Sequence, residues 1–180
     1  KDFPFKFKLR QILLRYISIN SLNNATKAIF LTKYAYQNIS KYLRKNIDFA
    51  IIPHGVDQTL FNNSSRINKE NTSGKTITYI SPFLPYKHQD NVIYAFNLLK
   101  SEGYKVKLKL IGNITPYSKN SIKKAFKKVD IKGSVEILEN ISQNKIPQYL
   151  NETDIFIFAS SCENMPNTLL EAMAAGLPIS

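Results

Sequence analysis

Strands alternating with helices over residues 76–180 predict an α/β fold built on a parallel, Rossmann-like sheet. Three observations carry this. Apolar runs at 76–80 (TITYI), 106–112 (VKLKLIG), 135–138 (VEIL) and 154–159 (DIFIFA) are too short for helices and read as buried strands. Between them lie helical segments at about 90–101, 118–128 and 145–151, the first placing Val92, Ile93, Phe96, Leu98 and Leu99 inward. Finally, 168–175 (TLLEAMAA) is rich in strong helix formers and is stopped by Gly176 as a left-handed cap, with Pro178 barring continuation and Ile179 opening a further strand. The loop between 159 and 168 therefore stands at the carboxyl end of a parallel strand, where open α/β sheets bind ligands. The helix after it offers unpaired backbone N–H groups to a phosphate or a sugar hydroxyl.

Upstream, residues 5–19 (FKFKLRQILLRYISI) mix cationic and apolar side chains, with Phe5, Leu9, Ile12, Leu13 and Tyr16 at helical spacing. Such a helix lies on anionic lipid or buries its apolar side in a domain; the sequence leaves both open. A break is expected at 21–27, a short strand at 28–31, and a helix over about 33–45 capped by Thr32. A second short strand at 51–52 leads into a turn at Pro53-His54-Gly55, and 62–75 reads as a polar loop. Asp90 is the expected cap of the 90–101 helix.

With 43% hydrophobic residues, 180 residues suffice for an ordinary globular core. No run of about eighteen apolar residues occurs, so no membrane-spanning helix is expected. The single cysteine, Cys162, excludes an internal disulfide and suits a reducing compartment. The net charge of +12 points to an anionic partner, and residues 1–50 alone carry ten basic residues against two acidic ones. A lysine cluster at Lys119, Lys123, Lys124, Lys127, Lys128 and Lys132 reads as a solvated helix face. Nucleic acid is disfavoured, because Tyr and Phe sit at strand and core positions rather than interleaved with basic residues. No G-x-G-x-x-G occurs, so a dinucleotide cofactor is not indicated. His54 has no second ligand at zinc spacing nearby, and no metal site is expected.

Two carboxylates mark the last segment. Thr168 and Glu171 have the T-x-x-E spacing of a capping box, and a ligand role for Glu171 is the alternative; Glu163 stands in the loop before them. Through Glu163, Pro166, Leu170, Glu171, Ala172, Met173, Ala174, Gly176 and Pro178 the stretch resembles the E-x(7)-E signature of family four retaining glycosyltransferases, which have the GT-B fold. The likeness runs from about Ala28 to Ser180. It implies a division into 1–50, the end of an acceptor-side domain, 51–75, an interdomain segment with a mobile loop, and 76–180, a nucleotide-sugar-binding domain truncated at its end. It also implies that the chain is a piece of a longer enzyme, without transferase activity by itself.

The resemblance assigns roles residue by residue. Lys87, in the loop 81–89 (SPFLPYKHQ), would bind the donor's diphosphate, although Pro82 replaces an Arg that many members have. Glu163 would contact the donor sugar, Glu171 the ribose hydroxyls, and Asn164, Met165, Pro166 and Asn167 would frame the hexose, with Thr168 opening the helix beneath the phosphates. His54 and Gly55 would face the interdomain cleft, and the base would meet the loop after 135–138, where Glu139 takes a place the family often gives to Gly. The expected chemistry is transfer of a hexose from a UDP- or GDP-linked donor, with retention and no cofactor or metal. A glycan or lipid-linked acceptor in bacterial surface polysaccharide or glycoconjugate synthesis is implied, in the cytoplasm or peripherally on the inner face of the membrane. Rival readings are a same-fold binding protein that has lost transfer, favoured by Pro82, and a GT-B epimerase or phosphorylase.

Overall fold

The computed structural model describes residues 5–44, 47–61, 74–131 and 133–180. The expected loop at 62–75 therefore lies almost wholly outside the described residues, as does Lys132. The chain divides into two compact units, Lys1–Gly55 with Glu163–Met165, and Val56–Cys162 with Pro166–Ser180.

The first unit contains α1 (Phe5–Asn24), β1 (Lys27–Phe30), α2 (Lys33–Ser40) and β2 (Asp48–Ile51). β1 and β2 pair in parallel, with Ala28 opposite Phe49 and Phe30 opposite Ile51. Alternation buries Ala28 and Phe30. Phe30 packs edge-on to Tyr36 and Phe49, whose own rings stack at 3.8 Å. Thr32 caps α2 as expected, its hydroxyl oxygen accepting from the Ala35 N–H at 3.0 Å. Three expectations fail here. Helix α2 ends at Ser40 rather than near 45. Helix α1 runs on through the anticipated break to Asn24, because Ser21-Leu-Asn-Asn contains no Gly or Pro to stop it, and Asn24 ends it by bonding back to the Asn20 carbonyl. The second strand lies at Asp48–Ile51 rather than beyond it, since the pairing edge of β1 decides which residues extend. Leu9, Ile12, Leu13, Tyr16 and Ile17 are exposed on α1.

The second unit follows the expected alternation: β3 (Lys75–Ile80), α3 (Gln89–Ser101), β4 (Val106–Ile111), α4 (Pro116–Lys127), β5 (Val135–Leu138), α5 (Ile146–Asn151), β6 (Ile155–Phe156) and α6 (Asn167–Ala174). The four strands are parallel in the order β5-β4-β3-β6. Ile179 adds a parallel bridge to Phe156 on the free side of β6. Period-two alternation sends side chains to two cores. Ile77, Tyr79, Leu108 and Leu110 pack with Val92, Ile93 and Phe96 of α3 and Ile122 and Ala125 of α4. Ile80, Ile111 and Phe156 pack on the other face with Ile146 and Leu150 of α5, Ala172 of α6 and Leu177. Covering both faces is what a parallel sheet requires.

Several local expectations are corrected. Leu98, expected inward on α3, is 62% exposed. Asp90 is not the cap of α3: the helix already begins at Gln89, His88 holds the cap position in the left-handed conformation, and Asp90 is buried in the first turn. The run 154–159 forms a ladder only over Ile155–Phe156. The Asp154 and Ile157 N–H groups donate to the Thr76 and Thr78 carbonyls of β3 at 2.9 and 2.8 Å, and those of Phe156 and Phe158 donate on the other side to Pro178 and Ser180 at 2.9 Å. Helix α6 starts at Asn167 behind Pro166, so Thr168 is already inside it and no capping box forms with Glu171.

The stop at Gly176 is as expected. Its φ is +66°, its N–H donates to the Met173 carbonyl at 2.9 Å, and the Leu177 N–H donates to the Ala172 carbonyl at 3.1 Å. This is a Schellman ending whose apolar contact joins the second core. A Cβ on Gly176 would meet nothing within 4 Å, so Gly176→Ala tests the backbone alone. The left-handed conformation should cost about 1–2 kcal/mol, read as a lower urea midpoint; an unchanged midpoint would show that α6 ends otherwise.

Candidate functional site

Within the second unit, the carboxyl ends of β3, β4 and β5 open onto a cleft of about 330 Å³. Its walls are Ser81 and Pro82 after β3, Gly112 and Asn113 after β4, Asn140 and Gln143 after β5, and Thr168 at the start of α6. These loops are tied to one another. Buried Gln89 donates through Nε2 to Ser81 Oγ and to the Pro82 carbonyl, each at 3.1 Å. The Phe83 N–H donates to the Asn113 carbonyl at 3.0 Å, and the Phe83 carbonyl accepts from the hydroxyls of Thr115 at 2.6 Å and Ser118 at 2.5 Å. Glu139 Oε2 accepts from the Ile114 N–H at 2.9 Å, and Asn113 Oδ1 accepts from the Asn140 N–H at 2.7 Å. The floor is thus held by hydrogen bonds made before any ligand arrives.

Glu171 stands one turn into α6. Its Oε1 accepts from Gln143 Nε2 at 2.6 Å, while Oε2 is buried with no hydrogen-bond partner among the described residues. Burial raises the carboxyl pKa above its usual value, and the Gln143 bond pulls the other way. A buried carboxylate oxygen left without a donor is costly, and a ligand hydroxyl would relieve it. No side chain among the described residues caps α6, so its first backbone N–H groups remain donors at the same end of the helix.

Glu171 does not itself line the cleft but is bonded to Gln143, which does. Apart from Thr168, the other sequence-designated residues lie elsewhere. Lys87 is 9% exposed and is not among the residues lining the cleft. Its carbonyl accepts from the Tyr79 hydroxyl at 2.9 Å, and its ammonium nitrogen lies 5.4 Å from the Tyr86 ring centroid. The turn carrying it is joined to the segment after β6: the Ser161 N–H donates to the Tyr86 carbonyl at 2.9 Å, and His88 Nε2 lies 2.8 Å from Ser161 Oγ. Glu163, half-buried, groups with Asn164 and Met165 in the first unit. There Asn164 Oδ1 accepts from the Thr32 hydroxyl at 2.5 Å, and the His54 N–H reaches Met165 Sδ at 3.3 Å. Gly55 ends that unit. Pro166 is the cap of α6, its carbonyl accepting from Leu169 and Leu170, and Asn167 is the first residue inside.

Asn113, Asn140 and Gln143 are cleft residues that sequence reasoning did not find. The place of Asn113 and Asn140 just after strands was a usable signal; Gln143 gave none. Among the described residues no group of three His, Cys, Asp or Glu is placed to hold a metal ion, and no helix is long and apolar enough to cross a membrane.

A parallel sheet flanked by helices, with a cleft at the strands' carboxyl ends, is the architecture of GT-B glycosyltransferases. The chain belongs to the family Glycosyl transferases group 1, whose profile matches residues 61–179. It is 26% identical over 182 residues to the alpha-monoglucosyldiacylglycerol synthase of Streptococcus pneumoniae, covering 95% of this chain and 40% of that protein. The chain thus spans less than half the length of that relative. Among solved structures, Anabaena Alr3699/HepE in complex with UDP and glucose superposes with a TM-score of 0.78 at 19% identity, over 92% of this chain and 47% of that one. WaaG, a glycosyltransferase involved in lipopolysaccharide biosynthesis, superposes with a TM-score of 0.70 at 20% identity, over 99% of this chain and 54% of that one.

Proposed function

We propose that the protein containing this chain transfers a hexose from a nucleotide-diphosphate sugar to an acceptor hydroxyl with retention, and that the cleft holds the nucleotide. The observation that carries this reading is Glu171, whose Oε2 is buried with no hydrogen-bond partner among the described residues, on a helix that no described side chain caps. The carboxylate accepts the ribose hydroxyls, and the helix start meets the diphosphate. In the transfer, the C1–O bond to the diphosphate breaks with its electron pair leaving on phosphate, while an acceptor oxygen bonds to C1 and gives its proton to the departing diphosphate oxygen. Lys87 balances the departing charge, and Pro166 and Asn167 at the start of α6 frame the hexose. No metal or cofactor is required by these roles. UDP is the favoured nucleotide, since the HepE structure holds UDP and glucose.

A lipid-linked or glycan acceptor in surface glycoconjugate synthesis is supported by two of the similar proteins, the pneumococcal alpha-monoglucosyldiacylglycerol synthase and WaaG, involved in lipopolysaccharide biosynthesis. The exposed Leu9, Ile12, Leu13 and Ile17 of α1, beside Lys8, Arg10 and Arg15, support peripheral contact with an anionic membrane. The second reading, a binding protein that has lost transfer, is favoured by one observation: among the described residues no Lys or Arg lines the cleft, and Pro82 does. It predicts nucleotide binding in the longer protein without sugar transfer.

Binding of UDP, GDP and ADP is the test, with Glu171→Ala alongside and circular dichroism confirming that both are folded. Losing charged hydrogen bonds to the ribose should cost about 1.5–3 kcal/mol, roughly ten- to a hundredfold in affinity. The pH dependence has a defined sign. Only the ionised carboxylate accepts both hydroxyls, so affinity should rise as pH rises from 4.5, the ordinary glutamate value, through the raised Glu171 value, then level off. Stability should run the other way, falling through the same window, because the folded state holds that proton more tightly than the unfolded state. Equal affinity of wild type and Glu171→Ala at every pH would remove the donor-site assignment.

A further inference from the structure

We infer that Gln143 is a positioning residue that fixes the Glu171 carboxylate and thereby sets how strongly this chain distinguishes a ribonucleotide from one lacking ribose hydroxyls. This rests on the reading of Glu171 as the ribose contact. Gln143 opens the short 3-10 turn Gln143–Lys145 after β5, twenty-eight residues before Glu171. Its amide Nε2 donates to Glu171 Oε1 at 2.6 Å, and Gln143 itself lines the cleft.

Both partners are anchored by the same core. The turn runs directly into Ile146 and Leu150, and Glu171 precedes Ala172; all three of these residues are buried together in the second core. Neither backbone can shift without opening that core. A neutral amide is suited to this task. A lysine or arginine would neutralise the carboxylate and weaken its pull on a hydroxyl, whereas glutamine spends one oxygen and leaves the charge intact. The other oxygen, Oε2, is then held buried in one orientation with no hydrogen-bond partner among the described residues. Without Gln143 the carboxylate would have to be ordered by the ligand itself, and each immobilised side chain weakens binding.

The test uses UDP and GDP, each beside its 2′,3′-dideoxy analogue, titrated into the folded chain and three variants: Gln143→Leu, Glu171→Gln and the double variant. Wild type is expected to prefer the ribonucleotide. Gln143→Leu should weaken it by roughly three- to tenfold, the range for freeing one side chain, and barely change the dideoxy analogue. A packing defect would weaken both alike. Glu171→Gln should bring the ratio near one, and the double variant should be no worse than Glu171→Gln alone. Should Gln143→Leu fail to fold, Gln143→Met, close in volume, takes its place. A ratio that survives loss of the Gln143 amide but collapses in Glu171→Gln overturns the positioning role alone. A wild type that does not distinguish either pair, or a ratio untouched by Glu171→Gln, overturns the ribose reading and this inference with it.

Discussion

Phe156→Ala is expected to remove about 3–5 kcal/mol from the stability of the second unit, the range for emptying a buried phenylalanine site. Phe156 is 0% exposed and lies in the core formed by Ile80, Ile111, Leu150, Ala172 and Leu177. The space it would leave is bounded by β3, β4, α5 and α6, which carry the cleft's walls, so collapse into it would displace those walls. Against a total stability of about 5–15 kcal/mol, such a loss leaves little margin. Urea unfolding followed by circular dichroism measures it. Leu98→Ala on α3 is the control: that side chain is 62% exposed and should change stability by no more than about 0.5 kcal/mol. Similar losses from the two would mean that the second core does not hold this unit together.

Gly112→Ala should be nearly as damaging, for a different reason. Gly112 follows β4 at φ +144°, a conformation that L side chains rarely adopt. Its N–H donates to the Leu138 carbonyl at 2.9 Å, and beside it the Ser81 N–H donates to the Ile111 carbonyl at 2.8 Å. These bonds bring the two chains so close that a Cβ on Gly112 would fall onto the carbonyl of Ser81. Backbone strain and overpacking each contribute about 1–3 kcal/mol, and neither neighbour is a flexible side chain that could swing away. Relief requires moving the Ser81-Pro82 wall of the cleft. The expected result is therefore a lower urea midpoint together with weaker nucleotide binding, whereas Gly176→Ala should lower the midpoint and leave binding unchanged. Wild-type binding in Gly112→Ala would show that the 81–82 wall takes no part in the site.

What could be read in advance were features decided within a few residues. Short apolar runs at 76–80, 106–112 and 135–138 became β3, β4 and β5, because sheet burial on both faces demands apolar side chains. Thr32 and Gly176 acted as predicted, since a cap involves only the adjoining turn. The errors were also local in origin. Asp90 and the Thr168–Glu171 pair satisfy capping grammar, but helix starts at Gln89 and Asn167 shift both out of register with it. The left-handed His88 carries no Gly-like signal that could have announced the earlier start of α3.

By itself, then, the sequence determined the alternation of strands and helices, the faces that become core, and the stop of the last helix. These follow from backbone geometry and hydrophobic period, which act over one or two turns. Only the tertiary structure decided which loops share a cleft. The sheet order β5-β4-β3-β6 sets the loops after β3, β4 and β5 side by side, bringing Ser81 against Gly112, Asn113 to Asn140 and Gln143 to Glu171. Lys87, six residues after Ser81 in the same loop, does not line that cleft. Such pairings depend on strand neighbours and register fixed through space, and no pattern of adjacent residues encodes them.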